Sequence, residues 1–108
     1  MKFTQDNGAD GTCLQGYIDT TYATLVKTFG EPHNDGDGYK VDAEWCLKFE
    51  DGTVATIYNY KDGKNYNGKA GKATKNITEW HIGGHSKKAV ECVTETVHSH
   101  SQLKANNY

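Results

Sequence analysis

Residues 41–60 read VDAEWCLKFEDGTVATIYNY, and this stretch decides the fold. Val41, Ala43, Trp45, Leu47 and Phe49 alternate with Asp42, Glu44, Cys46, Lys48 and Glu50, the period of a strand with one buried face. Asp51-Gly52 then supplies the two central residues of a type I′ hairpin turn. With that turn Glu50 faces Thr53, which pairs Phe49 with Val54, Leu47 with Thr56, Trp45 with Tyr58 and Ala43 with Tyr60 on the core face. The opposite face then carries Cys46, Ala55 and Ile57 beside Glu44, Lys48 and Asn59. Such a mildly apolar face suits a subunit neighbour or a ligand as well as solvent.

Working outward, Tyr22, Leu25, Val26 and Phe29 recur at helical spacing behind the capping residues Asp19, Thr20 and Thr21. Gly30 stands where a left-handed residue ends a helix, and Pro32 forbids continuation. Before it, Leu14, Tyr17 and Ile18 suggest a short strand, and residues 1–10 read as a flexible polar lead whose removal leaves folding intact. After the hairpin, residues 77–82 read as a strand with Trp80 and Ile82 on one side and Glu79 and His81 on the other. A second helix is expected from Ser86, with Ala89, Val90, Val93 and Val97 as its apolar stripe and residues 99–108 as a polar tail. The expectation is one α+β domain over 11–98, in the order β-α-β-β-β-α, with a small antiparallel sheet and two helices on one face. Its core should hold Leu25, Val26, Phe29, Trp45, Leu47, Phe49, Val54, Ile82, Val90 and Val93.

Composition narrows the function classes. The 108 residues suit one core, and a net charge of −2 argues against a DNA or RNA binder. All 12 basic residues are lysine, so no arginine fork is present to grip phosphate bidentately. Cys13, Cys46 and Cys92 are odd in number and in no metal-binding pattern, which fits reduced thiols in a cytosol. No apolar run reaches membrane-spanning length.

Two segments suggest an anion grip. Residues 61–75 hold five lysines against one acid, a local charge of +4 that leaves −6 for the rest. Gly83-Gly84-His85-Ser86-Lys87-Lys88 runs from strand toward helix, where unpaired N–H groups and two lysines would meet an anion. Lysines at a helix start oppose the helix dipole unless an anion compensates them, so charge reversal of Lys87 and Lys88 is expected to abolish ligand binding. Tyr58, Tyr60 and Tyr66 border the lysine segment. Aromatic rings beside lysines can stack bases and hold phosphates together, although Trp45 and Tyr58 are explained as a core pair. That leaves Tyr17, Tyr60 and Tyr66 for a ligand, with Thr12 and Gln15 as readers of base edges. No catalytic set stands in a recognisable motif, and Ser86 is explained as a helix cap. His81 and His85 are four apart but not on a helix, so neither they nor His98 and His100 form a metal site.

An ordered set of short motifs runs Gly11-Thr12-x-Leu14-Gln15-Gly16-Tyr17, Phe29-Gly30-x-Pro32, Glu44-Trp45, Phe49-x-Asp51-Gly52-Thr53, Ala55-Thr56-Ile57-Tyr58, Trp80-x-Ile82-Gly83-Gly84 and Ala89-Val90, within a resemblance that covers roughly Gly11 to Val97. It resembles a family of small phage proteins, the anti-CBASS sponges. Cys13 and the missing arginines depart from that pattern. The resemblance implies a non-enzymatic, cofactor-free viral homo-oligomer, dimer or tetramer, in the cytoplasm of an infected bacterium. It would sequester cyclic nucleotide alarm signals, such as cyclic GMP-AMP, without cleaving them. The ligand-binding residues then expected are Thr12, Gln15, Tyr17, Tyr60, Lys61, Tyr66, His81, Gly83, Gly84, Ser86, Lys87 and Lys88. The helix ending Phe29-Gly30-Glu31-Pro32, with the hairpin, is also similar to small phage domains that inhibit a host or defence protein directly, as anti-CRISPR proteins do.

Overall fold

The computed structural model describes residues 2–5, 11–32, 42–60 and 62–106. Its strands are β1 (Phe3–Gln5), β2 (Cys13–Asp19), β3 (Glu44–Phe49), β4 (Val54–Tyr58) and β5 (Glu79–Gly84). The helices are α1 (Tyr22–Phe29), the single turn α2 (Lys64–Asn67) and α3 (Lys88–Asn106), with 3-10 turns at Gly68–Ala70 and Thr74–Asn76. All five strands join one antiparallel sheet in the order β1-β3-β4-β5-β2. Helices α1 and α3 touch each other over one face of it, which is the α+β architecture expected.

The β3–β4 hairpin forms, but one residue out of the expected register. Phe49 N–H donates to the Thr53 carbonyl at 2.8 Å and Gly52 N–H to the Phe49 carbonyl at 2.9 Å. The loop is therefore the three residues Glu50-Asp51-Gly52, with Gly52 at φ 91° and the Asp51 carboxylate accepting from Thr53 N–H at 2.9 Å. This is the loop length that places a left-handed glycine before the returning strand. Trp45 consequently faces Ile57, and Leu47 faces Ala55. A one-residue slip moves every side chain of a strand to the other face. Ala55 and Ile57 are thus fully buried in the core, whereas Val54 and Tyr58 turn to the opposite face. The under-polar outer face built on Ala55 and Ile57 does not exist, and with it goes that support for an oligomer.

Two tryptophans join the sheet to α1. Trp45 and Trp80 are fully buried with their rings edge to face at 5.5 Å. The Trp45 indole N–H donates to Gly30 O at 2.8 Å and that of Trp80 to Thr20 O at 3.1 Å, so the two indoles bind the chain on either side of α1. The helix is capped as its sequence suggests: Thr21 Oγ1 accepts from Thr24 N–H, and Gly30, at φ 90°, donates to Val26 O. Seven of the ten expected core residues are buried; Val26 and Val90 are partly so, and Ala43, Ile77, Ala89, Cys92 and Val97 join them.

Both ends differ from expectation. Phe3 is in β1, facing Phe49 across the ladder and meeting Phe29 edge to face at 5.0 Å. Gln5 donates to the carbonyls of Phe29 and Glu31, so this part of the lead is structural. At the other end α3 runs to Asn106, through most of the expected tail. It lies close on the sheet because glycines face it: a methyl on Gly84 would meet Ala89 Cβ at 2.5 Å, and one on Gly16 would meet Val90 Cγ2 at 2.9 Å. Gly84→Ala should therefore destabilise by about 1–3 kcal/mol, the range for overpacking a filled core. Phe3→Ala should lower the thermal midpoint as well; a midpoint unmoved by it would show that β1 adds nothing.

Candidate functional site

Strand β5 separates the two segments that sequence reading combined into one anion grip. The lysine-rich segment leads into β5 at Glu79, while His85-Ser86-Lys87 leaves it beyond Gly84. Six residues at about 3.3 Å each place them roughly 20 Å apart. Gly83 and Gly84 are not in a phosphate-cradling turn. They are buried within β5, paired with Thr56 and Ala55 on one side and Leu14 and Cys13 on the other. Their small size serves packing, since a methyl on Gly83 would collide with Thr56 Oγ1.

At the α3 end the polar groups bind one another. Ser86 Oγ accepts from Lys88 N–H at 3.3 Å, the capping role read from the sequence. Lys87 Nζ donates to Gln15 O at 3.2 Å, and Gln15 Nε2 donates to Gly84 O at 3.0 Å. Gln15 lies at the irregularity in the β2–β5 ladder between Leu14 and Gly16, which explains its contact with the β5 backbone. Lys88 lines an open cleft of about 270 Å³ with His85, Ser86 and the hairpin loop. Asp51 is in that loop, its carboxyl held below the ordinary value chiefly by Thr53 hydrogen bonds and to a lesser extent by Lys88. A resident carboxylate beside Lys88 is unfavourable to an incoming anion.

The other end of β5 carries a denser arrangement. Glu44, Tyr58, His81 and Tyr17 stand in one cross-strand row, on the face away from the helices. The His81 ring lies 4.9 Å from Tyr17, 5.3 Å from Tyr58 and 5.6 Å from Tyr60, centroid to centroid. Tyr17 is 62% and Tyr60 40% exposed, so the cluster presents ring surface to solvent. Burial lowers the His81 pKa from its ordinary 6.5, against the opposing pull of Asp62 and Glu79. Burial raises that of Tyr58, with Glu44 adding to the effect.

A buried amide fixes the edge of this site. Asn59 Oδ1 accepts from the N–H groups of Asp42 and Ala43, and Nδ2 donates to the carboxylates of Asp42 and Asp62 at 2.9 Å each. The chain leaving β4 is thereby turned, which positions Tyr60 beside His81. Beyond it, Gly63 bridges Lys72, and Lys64, Lys69, Lys72 and Lys75 are exposed. Tyr66, 39% exposed, is in α2.

Of the residues singled out from sequence, Tyr17, Tyr60 and His81 come together, and Tyr66 belongs to the neighbouring lysine segment. Gln15, Gly84, Ser86, Lys87 and Lys88 gather at the far end, Gly83 lies inside β5, and Thr12 is half-buried just before β2. Lys61 lies outside the described residues. Tyr58 was missed as a site residue because the expected register put it in the core, and Asn59 gave no signal at all. Among the described residues no group of histidine, cysteine or acidic side chains is arranged to hold a metal, and no helix is long and apolar enough to cross a membrane. No protein-family model, curated protein or solved structure matches the chain.

The His81 environment sets a pH dependence with a definite sign. With the native pKa below 6.5, the unfolded chain takes up its proton first as pH falls. Stability from this group is complete above that value and declines as pH drops from 6.5 toward the native pKa. Urea unfolding between about pH 7 and pH 5 should show a shallower decline in His81→Asn than in the parent chain. Equal slopes would mean that His81 is not held neutral by its surroundings.

Proposed function

We propose that the chain is a non-catalytic binding protein that sequesters cyclic nucleotide signals, in the manner of a phage sponge against bacterial CBASS-type defence. The observation that carries this reading is the ring cluster of Tyr17, Tyr58, Tyr60 and His81 on the open sheet face, from which the chain runs past Tyr60 into the lysine-rich segment. Rings at a sheet surface supply stacking area for bases, worth about 1–3 kcal/mol per base. Lysines on the adjoining segment supply compact charges for the phosphates that join those bases. The ligand would lie across the open face with its phosphates toward Lys64, Lys69 and Lys72, whereas Lys75 is in the turn that packs against α1. No residue set for bond cleavage is required, since sequestration needs affinity alone. The resemblance to anti-CBASS sponges supports the same ligand class, a homo-oligomeric state and action in the cytoplasm of an infected bacterium.

A ligand bound only by the folded chain raises its unfolding free energy by mass action, about 2.7 kcal/mol at a hundredfold excess over Kd. Cyclic GMP-AMP or a related cyclic dinucleotide should therefore raise the thermal midpoint. Tyr17→Ala should remove most of that rise, as should charge reversal at Lys64 and Lys72. Reversal at Lys87 and Lys88, at the far end of β5, should leave it intact. If no cyclic nucleotide moves the midpoint and the chain instead co-purifies with a bacterial protein, direct inhibition of that protein takes the place of sequestration.

A further inference from the structure

We infer that the open-face site selects guanine among the bases, through the carboxylate of Glu79. This rests on the nucleotide-binding reading above and specifies which nucleotides that site accepts. Glu79 stands two residues before His81 on the same strand, so both project from the same sheet face. Its cross-strand partner is Asp19, two residues after Tyr17, the partner of His81. Two exposed carboxylates thus oppose each other directly beside the ring cluster, an arrangement that costs stability in a sheet. Glu44, opposite Tyr58, and Asp62, whose charge acts on His81, extend the acidic border.

A phosphate is repelled from such a border, whereas the neutral, donor-bearing edge of a base is attracted. A carboxylate offers two acceptor oxygens and no donor. Guanine alone among the common bases presents two adjacent donors, N1–H and N2–H, which meet both oxygens side by side. Adenine and cytosine place a ring-nitrogen acceptor next to their amino group, and uracil flanks its one N–H with carbonyls. In each of these, one carboxylate oxygen would face another lone pair. With the base stacked on the exposed rings, Glu79 lies at its edge and the phosphates reach away toward the lysines. Binding would also give one of the two opposed carboxylates a hydrogen-bonding partner.

Isothermal titration of the full chain with cyclic di-GMP, cyclic GMP-AMP, cyclic di-AMP and cyclic di-UMP tests this. The two guanine-bearing ligands should bind at least about tenfold more tightly than the other two, the discrimination expected of one good bidentate pair. Glu79→Gln should erase that preference while leaving the ligand-free thermal midpoint unchanged or higher, because the clash with Asp19 is relieved. Asp19→Asn should relieve the same clash yet keep the preference. Equal affinity for adenine or uracil ligands, or a guanine preference surviving in Glu79→Gln, overturns the inference and leaves sequestration standing. Absence of binding by all four overturns the inference together with the reading on which it rests.

Discussion

The contact between Trp45 and Trp80 determines the rest of the molecule. Their rings meet edge to face with Tyr22 packed against both, and neither is reached by solvent. Such a pair contributes roughly 0.5–1.5 kcal/mol beyond the area it buries. Its larger effect is positional. A buried indole N–H must find an acceptor, and here the acceptors are the carbonyls of Thr20 and Gly30, at either end of α1. The helix cannot slide along the sheet without leaving one of these donors unsatisfied. Since the pairing of β4 with both β3 and β5 sets the spacing of the tryptophans, sheet register and helix position are one constraint.

That constraint also created the open-face cluster. With Trp45 inward and opposite Ile57, Tyr58 is turned outward into the row that holds His81 and Tyr17. Strand β5 divides its labour by face. Trp80 and Ile82 fill the core, whereas Glu79 and His81 face outward on the side of the ring cluster. Substitution on one face of this strand therefore risks the core, and on the other changes only the outer surface. The carboxylate-lined, ring-covered character of the outer face has no counterpart in the core beneath it.

How much of this was legible in the sequence depended on whether the local pattern had one reading. The α1 helix was unambiguous, because Thr21, the apolar spacing, Gly30 and Pro32 all agree, and the structure places its caps there. The hairpin was legible as a hairpin but not in register. Val54, Ala55, Thr56, Ile57 and Tyr58 are apolar at both parities, so alternation could not choose a face. The choice came from the left-handed Gly52 and from packing Ile57, not a phenol, against Trp45. Gly83-Gly84 resembled a phosphate turn, yet close approach of Thr56 and Ala89 is what demands glycine there. Asn59 was silent because three of its four hydrogen bonds join Asp42 and Ala43, which only the folded chain brings near.

The strand order has a kinetic side. The β3–β4 hairpin closes over a three-residue loop, so its contacts are local and can form within microseconds. Strand β2 has the opposite character, for its partners in β5 lie between 60 and 71 positions later in the chain. Non-local pairing of this kind slows folding, because the intervening loop must close before any contact compensates for it. During synthesis β2 emerges early and waits, its backbone unpaired, until Glu79–Gly84 has left the ribosome. The strand that supplies Tyr17 to the site is thus the one whose docking completes the sheet, and ring cluster and closed fold arrive in the same step.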